Sequence, residues 1–140
     1  MPVERDYILR VIEMMVQLIA AILGRVSAGK FDEAEQMLEN AYQVLLREEA
    51  SLLRSIPAER LIPELLEAHS YTHGQLEVLA ELFLAQAQLH YARMLREESL
   101  GCYDRSIILF RYLETESRTL SFERLAKIQR IEGRIAELKD

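Results

Sequence analysis

The chain has little of what interrupts or cross-links a fold. Only five glycines and three prolines are spread over 140 residues, and tryptophan is absent. So few turn-forming residues predict long regular elements, and a composition of 50% apolar and 29% charged residues favours soluble helices. The single cysteine, Cys102, excludes an intrachain disulfide framework and fits a reducing compartment. The scattered glycines also form no Gly-rich phosphate loop.

The chain also lacks an overall positive charge. Its formal net charge of −6 argues against general binding to nucleic acids or anionic membranes, because both need a basic surface. Glu4, Arg5 and Asp6 mix both signs ahead of the first apolar run, so we expect no signal peptide. The most apolar segment, Met14–Leu23, is too short to span a bilayer and contains Gln17. We therefore expect a cytoplasmic protein without membrane contact.

Apolar residues recur at helical spacing along most of the chain. This pattern predicts an all-α fold of antiparallel helical hairpins, as an array or bundle of five to six helices in a single domain over 1–140. Pro63 is expected either to kink a helix in the connector or to begin a short one. The predicted segments are a hairpin over 4–49, an irregular connector over 55–74, a hairpin over 75–117 and a closing helix over 121–139.

The first helix is apolar on two sides. Such a helix is normally buried on both sides, so it lies either at the centre of the domain or in a subunit interface. We take the interface as the working prediction and expect a homodimer, with an unidentified protein partner as the other possibility. The predicted interface residues are Ile8, Val11, Ile12, Met15, Leu18 and Ile22.

Two stretches of the chain echo each other, "GKFDEAEQML" from Gly29 and "GCYDRSIILF" from Gly101. An offset of 72 residues aligns Phe31 with Tyr103 and superimposes the apolar positions of the helices that precede them. We therefore predict a repeat of two helical hairpins, each with a turn at its glycine. In each copy the aromatic residue would pack back between the two helices.

The motif Gly, any residue, aromatic, Asp, any residue, small residue resembles the turn of a tetratricopeptide repeat (TPR). The usual early Trp and Leu-Gly signature and the closing proline are missing. Two longer stretches, "RDYILRVIEMM" (5–15) and "LEVLAELFLAQAQLHYA" (76–92), are similar to an uncharacterised family of short bacterial TPR-like proteins, a domain of unknown function with an N-terminal DYILR motif. The resemblance implies a small all-helical protein and brings no activity with it.

The sequence contains no pattern that marks a catalytic or metal-binding site. His69 and His73 stand four residues apart, but no Glu follows His69, and the pair runs into a turn, which favours a solvated helix end. No Glu stands three residues before any histidine, as a di-iron bundle requires. Cys102 has no evident partner and fits a small buried apolar residue. We predict no enzyme activity, no cofactor and no bound metal.

A basic ridge is predicted on the closing helix. Its members, at spacings of three, three and four, are Arg124, Lys127, Arg130 and Arg134. Residues 118–140 hold six basic and four acidic side chains, a net charge of +2, which leaves −8 for the rest of the chain. The ridge either docks an acidic partner or RNA, or lies against the acidic body of its own protein or of a second subunit. We favour the second interpretation.

The sequence thus predicts a self-associating protein-interaction or structural module. Two alternatives stay open. One is a small-molecule- or metal-binding bundle, for which Gln86, His90 and Tyr91 are the polar candidates within a long helix. The other is an adaptor that uses the basic ridge.

Overall fold

A computed structural model gives the fold and describes the backbone of residues 2–140 and the side chains of residues 6–140. Over residues 2–140 the chain forms helices and short connections and no strand, which confirms the all-α class. Seven α-helices replace the predicted five or six. The side chain of Arg5, which begins the motif similar to the bacterial family, lies outside the described residues. The helices are α1 (Pro2–Ser27), α2 (Phe31–Leu46), α3 (Ala50–Arg54), α4 (Leu61–Glu67), α5 (His73–Ala92), α6 (Arg96–Glu116) and α7 (Phe122–Lys139).

The extra helices lie in the connector, which is more regular than predicted. Helix α2 ends at Leu46, three residues early, because Arg47 takes a left-handed conformation with φ 58°. Helix α3, a 3₁₀ turn over Ala58–Arg60 and α4 follow. Pro63 occupies the first turn of α4, where its missing N–H removes no helical hydrogen bond, so it begins a short helix and does not kink one.

The first hairpin turn lies where the sequence predicts it. Gly29 adopts φ 76°, a left-handed conformation that L side chains rarely take. The N–H of Lys30 donates to the carbonyl of Arg25 at 2.9 Å, and the N–H of Gly29 donates to Val26 at 3.0 Å. These bonds satisfy the last carbonyls of α1, as in a Schellman cap.

The second hairpin turn is displaced from its predicted position. The prediction that residues 99–102 break the helix is wrong, because Gly101 lies inside α6. The turn is at residues 93–95, where Met94 takes φ 63°. The N–H of Leu95 donates to His90 at 2.9 Å, and that of Met94 donates to Tyr91 at 3.0 Å. The hydrogen bonds match those of the first turn, at an offset of 65 residues and not 72.

The corrected offset also aligns the small residues through which the paired helices touch. Ala34 and Ala41 on α2 correspond to Ser99 and Ser106 on α6, and all four are at most 1% exposed. The serine hydroxyls donate to backbone carbonyls of α5, at 2.9 Å for Ser99 and 2.8 Å for Ser106. The chain therefore repeats a hairpin, but the motif at Gly101 does not begin a helix. The resemblance to the TPR turn rests on the first copy and stays a prediction.

Helix α5 occupies the centre of the molecule. It packs against α1, α2 and α6, and its buried side chains lie on all sides of the helix. Its start is fixed by a capping box in which Thr72 and Gln75 exchange hydrogen bonds. The central helix is thus α5, and α1 lies at the edge of the array with one side against α2 and α5.

Candidate functional site

The residues predicted to form an interface on α1 lie mostly in the molecule's own core. Val11, Met15 and Ile22 are buried, Ile12 and Leu18 are half-buried against the same cluster, and Ile8 is half-buried beside Gly74 of α5. The periodicity correctly marked a buried face, but a monomer's core and an interface give the same pattern. The three buried residues are therefore not available to a partner.

The second apolar side of α1 shares only Ile12 with the predicted set, and it lies at the boundary between the core and the solvent. Its members are spaced three and four apart alternately, which is the heptad spacing of helices that pair along one seam. Leu9 is 49% and Val16 57% exposed, and the other members are half-buried. We call this set the α1 stripe: Leu9, Ile12, Val16, Ile19 and Leu23.

The α1 stripe forms one wall of a groove of about 550 Å³. Ile19 and Leu23 lie on this wall, and α7 forms the other. The floor is made by Leu84 and Ala85 of α5 with Tyr103 of α6. The groove is therefore apolar along α1 and at Leu84 and Ala85, and charged along α7 and at Glu81 of α5.

Helices α1, α5 and α7, three of the four helices that line the groove, run parallel to one another. Ile8, near the start of α1, lies so close to Gly74 at the start of α5 that a side chain at Gly74 would collide with it. Helix α7 starts beside Glu77 of α5, to which Arg124 is paired at 3.7 Å, and ends near Tyr91, which donates to Glu137 at 2.8 Å. The groove thus has the direction to accept a helix parallel to α1, which would contact the stripe there at Ile19 and Leu23.

Most side chains of the predicted basic ridge form ion pairs with carboxylates of the same chain. Arg124, 15% exposed, pairs with Glu114 at 3.1 Å, and Lys127 pairs with Glu81 of α5. These pairs hold α7 against α5 and α6. The geometry agrees with the favoured interpretation, in which the ridge lies against the acidic body of its own protein.

The remaining ridge residues lie on the groove wall. The guanidinium of Arg134 stacks on the Tyr91 ring at 4.0 Å and donates to Glu137 at 2.9 Å. The hydrogen bond from Tyr91, together with that from Arg134, lowers the pKa of Glu137. Arg130 is exposed and forms no ion pair with any side chain of residues 6–140. Arg130 therefore leaves one uncompensated positive charge on the wall opposite the α1 stripe.

The polar candidates for a small-molecule site separate into two places. Gln86 is fully buried beneath a pocket of about 480 Å³ that includes Arg54 and His90, whereas Tyr91 lies on the side facing α7. Arg54 donates to Gln86 at 3.3 Å and to Glu39 at 3.0 Å. Burial lowers the pKa of His90. Because Gln86 and Arg54 are already bound by their own chain, this cluster supports packing of α3 and α5 more directly than it supports a ligand.

The histidine and cysteine candidates do not come together in one site. His69 follows α4 and lies 2.8 Å from Glu48, so it is a half-buried paired residue and not the predicted solvated helix end. His73 begins α5 and packs edge-on to Tyr112. Within residues 6–140, no three His, Cys, Asp or Glu side chains are grouped as metal ligands would be. Cys102 is buried, as expected of a small apolar residue.

Helix α1 also meets the length and composition of a membrane span over Asp6–Ser27. The apolar segment Met14–Leu23 is too short to span a bilayer, but the whole helix is long enough. Core helices of soluble proteins and leader sequences pass the same test, so length and composition do not by themselves assign α1 to a membrane.

No protein-family model, no curated protein and no solved structure matches this chain.

Proposed function

We propose that the protein is a helical interaction module that associates with a second copy of itself through the α1 stripe. A binding role without catalysis and a cytoplasmic location are part of this proposal. The observation that carries it is the half-exposed apolar seam of Leu9 and Val16, which continues into the groove through Ile19 and Leu23. Contiguous exposed apolar surface of this kind is typical of interaction sites.

The rest of the surface supports a closed pair of molecules. Helix α7, at the other edge of the array, exposes Gln129 and Glu132, and its one exposed large apolar side chain is Phe122 at its start. Repeat arrays end in such polar caps, and a polar cap does not complement an apolar stripe. A head-to-tail chain of molecules is therefore disfavoured, and a two-fold dimer that joins stripe to stripe is favoured.

Two matched substitutions test the proposal. Val16 on the stripe is 57% exposed, and Val44 on α2 is 58% exposed. A charge at either position leaves the core intact, so Val16→Glu and Val44→Glu differ mainly in location. We expect the unaltered protein to have about twice the chain mass of 16.3 kDa by light scattering after gel filtration. Val16→Glu is expected to elute at the single-chain mass, and Val44→Glu to remain a dimer.

Two outcomes would overturn the proposal. One is a single-chain mass for the unaltered protein throughout the micromolar range. The other is a dimer that Val16→Glu does not weaken. Flotation with neutral and anionic phospholipid vesicles is run in parallel. A monomer that floats with vesicles, and loses this behaviour on Val16→Glu, would assign the stripe to a lipid surface.

A further inference from the structure

We infer that α1 of a second copy lies in the α1–α5–α7 groove parallel to α1 of the first, with its acidic flank facing the basic wall of α7. This inference rests on the proposed self-association and specifies its geometry. It follows from three features. They are the heptad register of the α1 stripe, the exposed acidic residues Asp6 and Glu13 beside the stripe, and the positive charge of Arg130 across the groove, which is unpaired among the described side chains.

The register fixes what lies on each flank of the stripe. In a heptad helix, residues on the two flanks of the apolar seam approach the partner helix and set its orientation. One flank of α1 carries Met15 and Ile22, which are buried in the molecule's own core, and Ile8, which lies against Gly74 of α5. The other flank carries Asp6 and Glu13, which are exposed and point away from the core.

The two orientations of a helix pair place these flanks differently. In a parallel two-fold pair, the acidic flank of each helix meets the core-facing flank of the other, so it turns towards the other molecule's body. In an antiparallel pair, the acidic flanks meet each other, which brings Glu13 of both copies to the same side. Like charges in apposition are unfavourable, so the charges favour the parallel pair.

The basic wall supplies the complementary charge. Arg130 is the exposed cation of this wall without an ion pair among the described side chains, and it lines the groove opposite Ile19. In a parallel pair in register, Glu13 of the second copy lies about one and a half helical turns before the level of Arg130. Both side chains lean towards the N-termini of their helices, and the arginine, which is the longer of the two, extends back along the groove towards that carboxylate. Each copy thus supplies an acidic residue to the basic α7 wall of the other.

Cysteine cross-linking tests the orientation. In a parallel pair, equivalent seam residues face each other, so Leu9→Cys and Val16→Cys, made separately in a Cys102→Ala background, should both form intermolecular disulfides under mild oxidation. A disulfide requires Cα atoms about 4.4–6.8 Å apart, a separation that an antiparallel pair cannot provide at both positions. Cross-linking at neither position, or at only one, would overturn the inference.

Charge reversal tests the contact between the flank and the wall. Glu13→Arg and Arg130→Glu should each weaken the dimer about fivefold, because an exposed contact is modest but occurs twice in a two-fold dimer. The double reversal should restore affinity to within about twofold, since the pair is re-formed with opposite signs. Glu59→Arg, an exposed position on the 3₁₀ turn, changes the net charge by the same amount as Glu13→Arg and should leave the dimer unchanged.

The possible outcomes distinguish the parallel geometry from the self-association on which it rests. A monomeric unaltered protein would remove both. The unaltered protein could form a dimer that Val16→Glu disrupts, while Glu13→Arg, Arg130→Glu and Glu59→Arg all change its affinity equally. That result would support self-association and overturn the parallel geometry. A double reversal that is weaker than either single change would also overturn it.

Discussion

At the residue scale, burial decides the chemistry of the single thiol. Cys102 is 6% exposed, and burial raises the pKa of its thiol to about 11. The sequence indicates a small buried apolar role for this cysteine, but a pattern of residue types does not show how far a side chain is desolvated. A thiol that stays protonated near neutral pH is a poor nucleophile.

We therefore predict slow modification of Cys102 in the folded protein. At pH 8, its thiolate fraction is on the order of 100-fold below that of a free thiol with a pKa of about 8.5. Reaction with a chromogenic disulfide reagent should be slower by at least this factor than in guanidinium chloride. The thiol introduced at an exposed site by Ser51→Cys gives the unburied rate in the same fold. Equal rates for the two thiols would contradict the prediction.

The same shift gives a direction for the pH dependence of stability. The folded state disfavours the thiolate, so the contribution of this thiol is complete below the unfolded pKa of about 8.5. It is lost as the pH rises towards the folded value of about 11. Cys102→Ala should therefore show a smaller loss of stability than the unaltered protein between these two pH values.

At the element scale, helix existence was predictable and the second turn was not. Helix α1 ends at Ser27 as predicted because "SAGK" supplies a glycine for the left-handed residue. The α5–α6 turn has neither glycine nor proline, and Met94 adopts the left-handed conformation instead. Gly101 is accommodated within α6 because the flanking Cys102 and Tyr103 are buried. Tertiary packing thus outweighs a local helix cost of about 1 kcal/mol for glycine.

Three substitutions test this assignment of the turns by the sign of their effects. Gly29→Ala should destabilise the protein by about 1–2 kcal/mol, because a Cβ is unfavourable at φ 76°. Gly101→Ala should stabilise it by about 0.5–1 kcal/mol, since a Cβ there meets only Arg105 Nη1 at an ordinary 3.5 Å. Met94→Gly should stabilise it by up to about 1 kcal/mol by relieving the left-handed residue. Urea unfolding measures all three, and destabilisation by Gly101→Ala would return the turn to 99–102.

The same contrast explains why the site was only partly predictable. Periodicity identified α1 as apolar on two sides, but Ile12 is the one predicted interface residue that belongs to the α1 stripe. Which side faces the core depends on where α5 lies, and α5 begins 46 residues after the end of α1. The heptad spacing of Leu9, Val16 and Leu23 was the signal that could have found the stripe. The partners of the basic ridge, Glu77 and Glu81, also come from distant sequence and gave no local signal.

At the scale of the whole molecule, the two edges of the array have opposite character. Helix α7 closes one edge by inserting Ile128 and Ile131 into the core and pairing Arg124 and Lys127 with α5. Helix α1 leaves the other edge apolar at Leu9 and Val16. An edge of this kind loses apolar exposure only when something binds it, so association and stability should be linked.

This linkage gives a prediction for the intact protein. If a second copy covers the α1 stripe, the thermal midpoint should rise with protein concentration, because mass action favours the folded dimer over unfolded chains. Over a hundredfold range of concentration we expect a rise of several degrees, since the corresponding free energy is about 2.7 kcal/mol. Val16→Glu should remove the dependence, while Val44→Glu, equally exposed on α2, should retain it. A midpoint that does not change with concentration in the unaltered protein would show that folding proceeds to completion in the single chain, with α1 stable despite its exposed stripe.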